Sequence, residues 1–333
     1  MAGNDQVFAA IAAFRAKLAR GEGPLFGTSV QLTDPTSTDA LADSLDWFWF
    51  DQEHATMSPE ALKTHIMVAH GRGTPCIVRI PAPNAQGSAQ SWGAYLKQSL
   101  DMGADGVIVP QIRTADDVLQ IVADCRYPTG GFREAPNDER PASTPEGAWK
   151  EPASDKPGSG STAVDFRRRG FGPTTPTNYG RLDVKEYLAR ADRNIFVMVM
   201  IETLEAIQNI DAICAVDGLD AIVIGANDLA GSMGIPCVRG GPPPLGSSPC
   251  PALIATLARR YETEGEILEA IDHLISTARK HNTTVCFSSR NLELATTVAT
   301  SGVDLLHIGN DIQHIVSAQD EVVATVRGKL AAL

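Results

Sequence analysis

The chain has 333 residues, of which 43% are apolar and 20% charged, and it carries a formal net charge of −12 at pH 7. That length suits one (β/α)8 barrel with insertions or two smaller domains, with a core large enough to need no disulfide or structural metal. The acidic balance excludes nucleic acid or an anionic membrane as the main partner, but a local arginine and a divalent cation still permit an anionic substrate.

In chain order, residues 1–20 mix Asp5, Arg15 and Lys17 among alanines. They predict an N-terminal helix and lack the apolar run of a signal peptide. Short apolar runs then alternate with helical patterns. The runs cover 25–30, 46–50, 76–80, 106–109, 195–201, 221–224, 284–287 and 305–308. They are continuous rather than alternating, as strands buried on both faces should be. The helical patterns cover 59–69, 91–102, 115–124, 184–191, 204–216, 266–280, 292–300 and 312–330. Strand then helix, repeated along the chain without a dividing linker, predicts a single (β/α)8 TIM barrel over residues 1–333. Two doubly wound domains are the alternative. Two stretches break the rhythm. Residues 133–166 are rich in Pro, Ser, Gly, Glu and Asp, and residues 237–257 include Gly240-Gly241-Pro242-Pro243-Pro244. Both are expected to be loop inserts without regular structure. The cysteines, at 76, 125, 214, 237, 250 and 286, form no CxxC or zinc-like spacing. No 18-residue apolar stretch is present, so the expected location is the cytoplasm.

Barrel active sites gather at the C-terminal ends of the strands. The residues just beyond the predicted strands are Asp51-Gln52-Glu53-His54, Arg79, Glu202, Asn227-Asp228, Ser288-Ser289 and Gly309-Asn310-Asp311. Glu202 and Asp228 suit a hard divalent cation such as Mg²⁺, or else each caps a helix that starts beside it. His54, after two acids, is a candidate general base or a surface histidine. Arg79 ends an apolar strand and calls for an anionic partner. Asn310-Asp311 reads as a helix cap. The lysines all fall in helical patterns, an insert or near a terminus, which argues against Schiff-base chemistry.

Several segments carry a resemblance: DWFWFDQEHA (46–55), IVRIP (77–81), GADGVIVPQIRTADD (103–117), MIETLEAIQNI (200–210), GLDAIVIGANDLAGSMG (218–234) and HIGND (307–311). Together they resemble the HpcH/HpaI aldolase family of the phosphoenolpyruvate/pyruvate barrels. The carboxylate spacing, 228 − 202 = 26, is similar to that of the family's metal pair. The resemblance implies a metal-dependent carbon–carbon lyase that forms a pyruvate enolate from a small 2-oxo acid. Decarboxylation of oxaloacetate with capture of the enolate is a related reading; a barrel disabled by its inserts is a second. In the implied site Glu202 and Asp228 bind Mg²⁺, or Mn²⁺ or Co²⁺. The backbone N–H groups of Asn227 and Asp228 hold the substrate carboxylate, and Arg79 stabilises the enolate oxygen. His54, paired with Asp51, moves protons, and Asp101 reaches a neighbouring subunit's site in a hexamer. The chain departs from the family in having Met200 before Ile201-Glu202. It also splits a substrate-mouth loop, leaving Arg126-Tyr127-Pro128 before the first insert and Arg169-Gly170 after it.

Overall fold

The computed structural model describes residues 7–82, 92–128, 168–225, 228–229, 232, 265–289 and 292–332. Both predicted inserts, 133–166 and 237–257, lie outside the described residues, as does Asn227. Eight parallel strands close into a barrel in sequence order: β1 (Leu25–Val30), β2 (Trp47–Asp51), β3 (Cys76–Arg79), β4 (Gly106–Val109), β5 (Phe196–Ile201), β6 (Ala221–Ile224), β7 (Thr284–Ser289) and β8 (Leu305–Asn310). This is the (β/α)8 barrel that the sequence predicts.

Period-two alternation sorts the strand side chains into two layers. In β2, Phe48 and Phe50 stack at 5.6 Å, and Phe50 meets His65 of the helix Pro59–Arg72, so these rings face the outer shell. The alternate residues Trp47, Trp49 and Asp51 therefore face the barrel interior. Trp49 there lies 4.6 Å from the ring of His307, on β8. Trp47 occupies the space that a side chain at Gly27 would need: a Cβ on Gly27 would clash with the indole ring. A glycine on β1 is what allows so large a residue at the neighbouring register position, Gly27↔Trp47.

Local signals set the helix ends. Ser58 caps the helix Pro59–Arg72, which has proline at its first position and stops at Gly73 in a left-handed conformation, φ 74°. Thr114 and Asp117 form a reciprocal capping box on the helix Ala115–Cys125. Asn310 caps the helix Asp311–Ala331 through its Oδ1, which accepts from the Gln313 N–H at 2.9 Å. The N-terminal helix Ala9–Ala19 covers the end of the barrel where the strands begin. Arg15 pairs with Asp220 at 2.6 Å, and Phe14 packs edge-on against Phe196 at 5.5 Å. Among the described residues no helix is long and apolar enough to cross a membrane.

Candidate active site

At the C-terminal end of β2 the inward series Trp47, Trp49 continues to Asp51, whose residue is fully buried. Strand register sets Asp51 directly beside Arg79 of β3. The two form a bidentate pair: Arg79 Nε donates to Asp51 Oδ1 at 2.9 Å and Nη2 to Oδ2 at 2.6 Å. Fork-to-carboxylate geometry of this kind fixes both groups in orientation as well as charge. The guanidinium also lies 5.2 Å over the Trp49 ring, and its Nη1 is 3.0 Å from Glu53 Oε2. Asp51 accepts further bonds from the backbone N–H groups of Glu53 (2.9 Å) and His54 (3.3 Å). Burial works against the charge on Asp51, but Arg79 and those N–H groups hold its carboxyl below the ordinary aspartate range. Burial instead pushes Glu53 up, against the pull of Arg79 and His54.

Glu202 follows β5, and the inward series Met198, Met200 places it in the barrel mouth. It is 3% exposed. Helix capping does not occupy it: Thr203 caps the next helix, Leu204–Gln208, by accepting from the Ala206 N–H. Glu202 Oε1 instead accepts from the backbone N–H of Gln111 at 2.7 Å. Gln111 lies just past β4 in a left-handed conformation, φ 58°, a costly shape for a non-glycine residue that turns its N–H toward the carboxylate. Gly225, after β6, leaves room for the glutamate, since a Cβ there would sit 3.1 Å from Glu202 Cβ. Burial pushes the Glu202 carboxyl up to about 7. Asp228 and Glu53 add to this as like charges, while the Gln111 N–H and Arg79 oppose it. Asp228 itself is exposed to solvent.

Asp51 and Glu53 thus flank one guanidinium, while Glu202 lies in a partly desolvated mouth with Glu53 and Asp228 as like charges. All of those donors are hard oxygens, which fits a hard divalent cation. Of the residues expected at the strand ends, Asp51 and Arg79 are in contact, and Glu202 feels the charges of Arg79, Glu53 and Asp228. Glu53 is named among the strand-end residues, but only the fold turns it toward Arg79; Gln111 escapes sequence reasoning. Gln111 acts through its backbone, which carries no side-chain signal.

The pairing expected for His54 needs correction. The ring of His54 is not paired with Asp51, whose oxygens are taken by Arg79 and two backbone N–H groups. His54 Nε2 lies 3.7 Å from Glu53 Oε2 on a side chain that is 66% exposed. Asp101 ends the helix Trp92–Met102, at the opposite end of the barrel, and pairs with Arg169 at 3.0 Å. The split loop reassembles there too: the Arg169 N–H donates to the Arg126 carbonyl at 3.0 Å, while Arg169 stacks 4.4 Å over Tyr127. Helices of a βα barrel run back toward the strand starts, so within one chain this loop is far from the mouth that it was expected to line.

Comparison with known proteins agrees with this architecture. The family model for HpcH/HpaI aldolase/citrate lyase matches residues 30–318. The 4-hydroxy-2-oxovalerate aldolase of Rhodococcus jostii (strain RHA1) is 30% identical over 227 residues, 68% of this chain and 70% of the relative. The 5-keto-4-deoxy-D-glucarate aldolase of Klebsiella pneumoniae is 26% identical over 269 residues, 80% of this chain and 78% of the relative. Among solved structures, an HpcH/HpaI aldolase/citrate lyase family protein from Burkholderia cenocepacia superposes with a TM-score of 0.69 at 20% identity, covering 95% of this chain and 99% of its own. Macrophomate synthase superposes with a TM-score of 0.63 at 18% identity, covering 97% and 90%. At those identities the structural likeness speaks for the fold alone.

Proposed function

Since the chain belongs to the HpcH/HpaI aldolase/citrate lyase family and is a carbon–carbon lyase acting on a small molecule, we propose that it uses a divalent cation, Mg²⁺ in the first instance, to form a pyruvate enolate from a 2-oxo acid at the barrel mouth. The observation that carries this reading is the Glu202 carboxyl, 3% exposed in the barrel mouth, oriented by the Gln111 N–H at 2.7 Å and facing Glu53 and Asp228 as like charges. A buried acid in a surplus of negative charge is a site prepared for a cation.

Glu202 and Asp228 would hold the ion, with Mn²⁺ or Co²⁺ as substitutes. When bound, the ion supplies the positive charge that lowers the cost of developing an enolate next to a carbonyl. The remaining work falls to the chain. Arg79, clamped by Asp51 and Glu53, offers a fixed cationic edge for the oxygen that gains charge, and its rigidity means that little reorganisation accompanies the reaction. His54, exposed at the rim beside Glu53, exchanges a proton with solvent and substrate. Backbone N–H groups of Asn227 and Asp228 are the proposed seat of the substrate carboxylate. Trp49, buried behind Arg79, keeps water from the inner side of the guanidinium.

The proposed assembly is a homo-oligomer, a hexamer by resemblance, in which Asp101 serves a neighbouring copy. Supporting this, Ile312, Ile315, Val316, Val322, Val326 and Leu330 line one exposed apolar face of the last helix, each 40–64% exposed. The lyase reading is tested by following oxaloacetate turnover by NMR with Mg²⁺ and then with EDTA. Metal-dependent pyruvate formation is expected. Turnover that survives chelation refutes the role of the metal, and no turnover in folded, Mg²⁺-loaded protein refutes the reading as a whole.

A further inference from the structure

At the end of the barrel opposite the carboxylates, three side chains of different chemistry converge. Cys76 opens β3, Asp105 immediately precedes β4, and His70 lies in the last turn of the helix Pro59–Arg72. His70 Nε2 is 2.9 Å from Asp105 Oδ2. Cys76 Sγ is 3.5 Å from that oxygen and 3.8 Å from His70 Nε2. Among the described residues, this is the one group of His, Cys, Asp and Glu whose ligand atoms all lie within 4.8 Å of one another. The carboxylates of the mouth are not drawn so tightly together.

The distances suit a small tetrahedral ion. With bonds of about 2.3 Å to sulfur and about 2.0 Å to nitrogen and oxygen, tetrahedral zinc sets its S···N and S···O edges near ~3.5 Å and its N···O edge near ~3.3 Å. Shifts of less than about 0.5 Å in side-chain position reach that geometry. The carboxylate is already oriented, because Asp105 Oδ2 also accepts from the Cys76 backbone N–H at 2.9 Å. A cavity of about 200 Å³ adjoins the cluster, lined by His70 and Asp105 and roofed by Phe8, Leu100 and Tyr187. It has room for a water at a fourth coordination position. A mixed thiolate, imidazole and carboxylate set favours Zn²⁺ over Mg²⁺, which takes oxygen donors.

We infer that His70, Cys76 and Asp105 form a zinc site, separate from the lyase site, whose open position faces this cavity. Binding displaces the thiol proton of Cys76 and the Nε2 proton of His70 to solvent, and the ion then ties the helix Pro59–Arg72 to the starts of β3 and β4.

The test is a Co²⁺ titration of the metal-stripped, full-length protein. Sulfur-to-cobalt charge-transfer absorption is expected to saturate at one equivalent per chain and to vanish on adding Zn²⁺. The all-oxygen donors at the barrel mouth cannot give that band, so the result is independent of the lyase reading. The near-isosteric Cys76→Ser should abolish the band while Mg²⁺-dependent lyase turnover continues. Asp105→Asn should weaken Co²⁺ binding by roughly 10- to 100-fold or more. If Cys76→Ser fails to fold, His70→Gln, at a partly exposed position, takes its place and should also lose high-affinity Co²⁺ binding. No sulfur-to-cobalt band in folded wild-type protein, or a band that persists in Cys76→Ser, overturns the inference and leaves a buried ion pair beside an inert thiol.

Discussion

Replacing Arg79 with alanine separates two jobs that the structure gives to one side chain. Arg79 is the cationic partner of Asp51, at 2.9 and 2.6 Å, and of Glu53, at 3.0 Å. Asp51 has no solvent access, so its charge would be stranded. Removing one partner of a buried ion pair costs about 3–5 kcal/mol, and a second carboxylate facing the same gap keeps the loss at the upper part of that range. Without its partner, Asp51 would take up a proton more readily when folded than when unfolded. The stability deficit should therefore grow as pH rises above the ordinary aspartate value and shrink in acid. The chemical effect is separate. Loss of a preorganised donor at a developing oxyanion costs roughly 100- to 1000-fold in kcat. Urea denaturation with linear extrapolation measures the first effect. Exchange of the pyruvate methyl protons into deuterated water, followed by NMR, measures the second without requiring an acceptor substrate. Arg79→Lys completes the set: it restores charge but not the two-pronged contact, so stability should recover more than exchange does. A raised KM with unchanged kcat would refute the enolate role, because the arginine would then bind ground state and transition state alike. A stability loss below about 1 kcal/mol would show the pair to be effectively solvated.

Three further outcomes follow from the geometry. Glu202→Gln should weaken Mg²⁺ binding, read by calorimetry, by more than the roughly 100-fold that loss of an outer-shell partner can cost. Undiminished affinity would remove Glu202 from the proposed site. Metal-free protein should lose stability as pH rises from 4.5 to about 7, because folded Glu202 still holds a proton there that the unfolded chain has released. The loss amounts to about 3 kcal/mol at most, and Mg²⁺ should reduce it by favouring the ionised form; thermal melts with EDTA and with Mg²⁺ across that window check both signs. Gly27→Ala should destabilise by about 1–3 kcal/mol through its clash with Trp47, measured by urea denaturation, and a neutral effect would mean that the indole has another place to go.

The barrel was legible because most strand residues are buried on both faces, so a continuous apolar run marks a strand without any knowledge of its neighbours. The run WFWFD announces β2, and FVMVMI announces β5. Strand ends were legible for the same reason, and with them Asp51, Arg79 and Glu202. Local chemistry settled the caps as well: Asn310 reaches only three residues ahead, a distance the chain itself fixes. The sequence could not say whether Glu202 caps the next helix, because that depended on whether Thr203 took the cap.

Partnerships were decided by closure of the sheet. The Asp51 carboxylate pairs with the Arg79 guanidinium rather than the His54 ring because register sets β2 beside β3. Gln111 meets Glu202 across 91 positions of sequence, through a backbone N–H that no residue type advertises. His70, Cys76 and Asp105 show no ligand spacing in the sequence, yet they meet where one helix ends and two strands begin. Side-chain type and local periodicity depend on neighbours along the chain, and so the sequence determined strands, helices and the candidate residues at their ends. Which charge faces which depends on distances across the barrel, and those exist only once eight strands have closed on themselves.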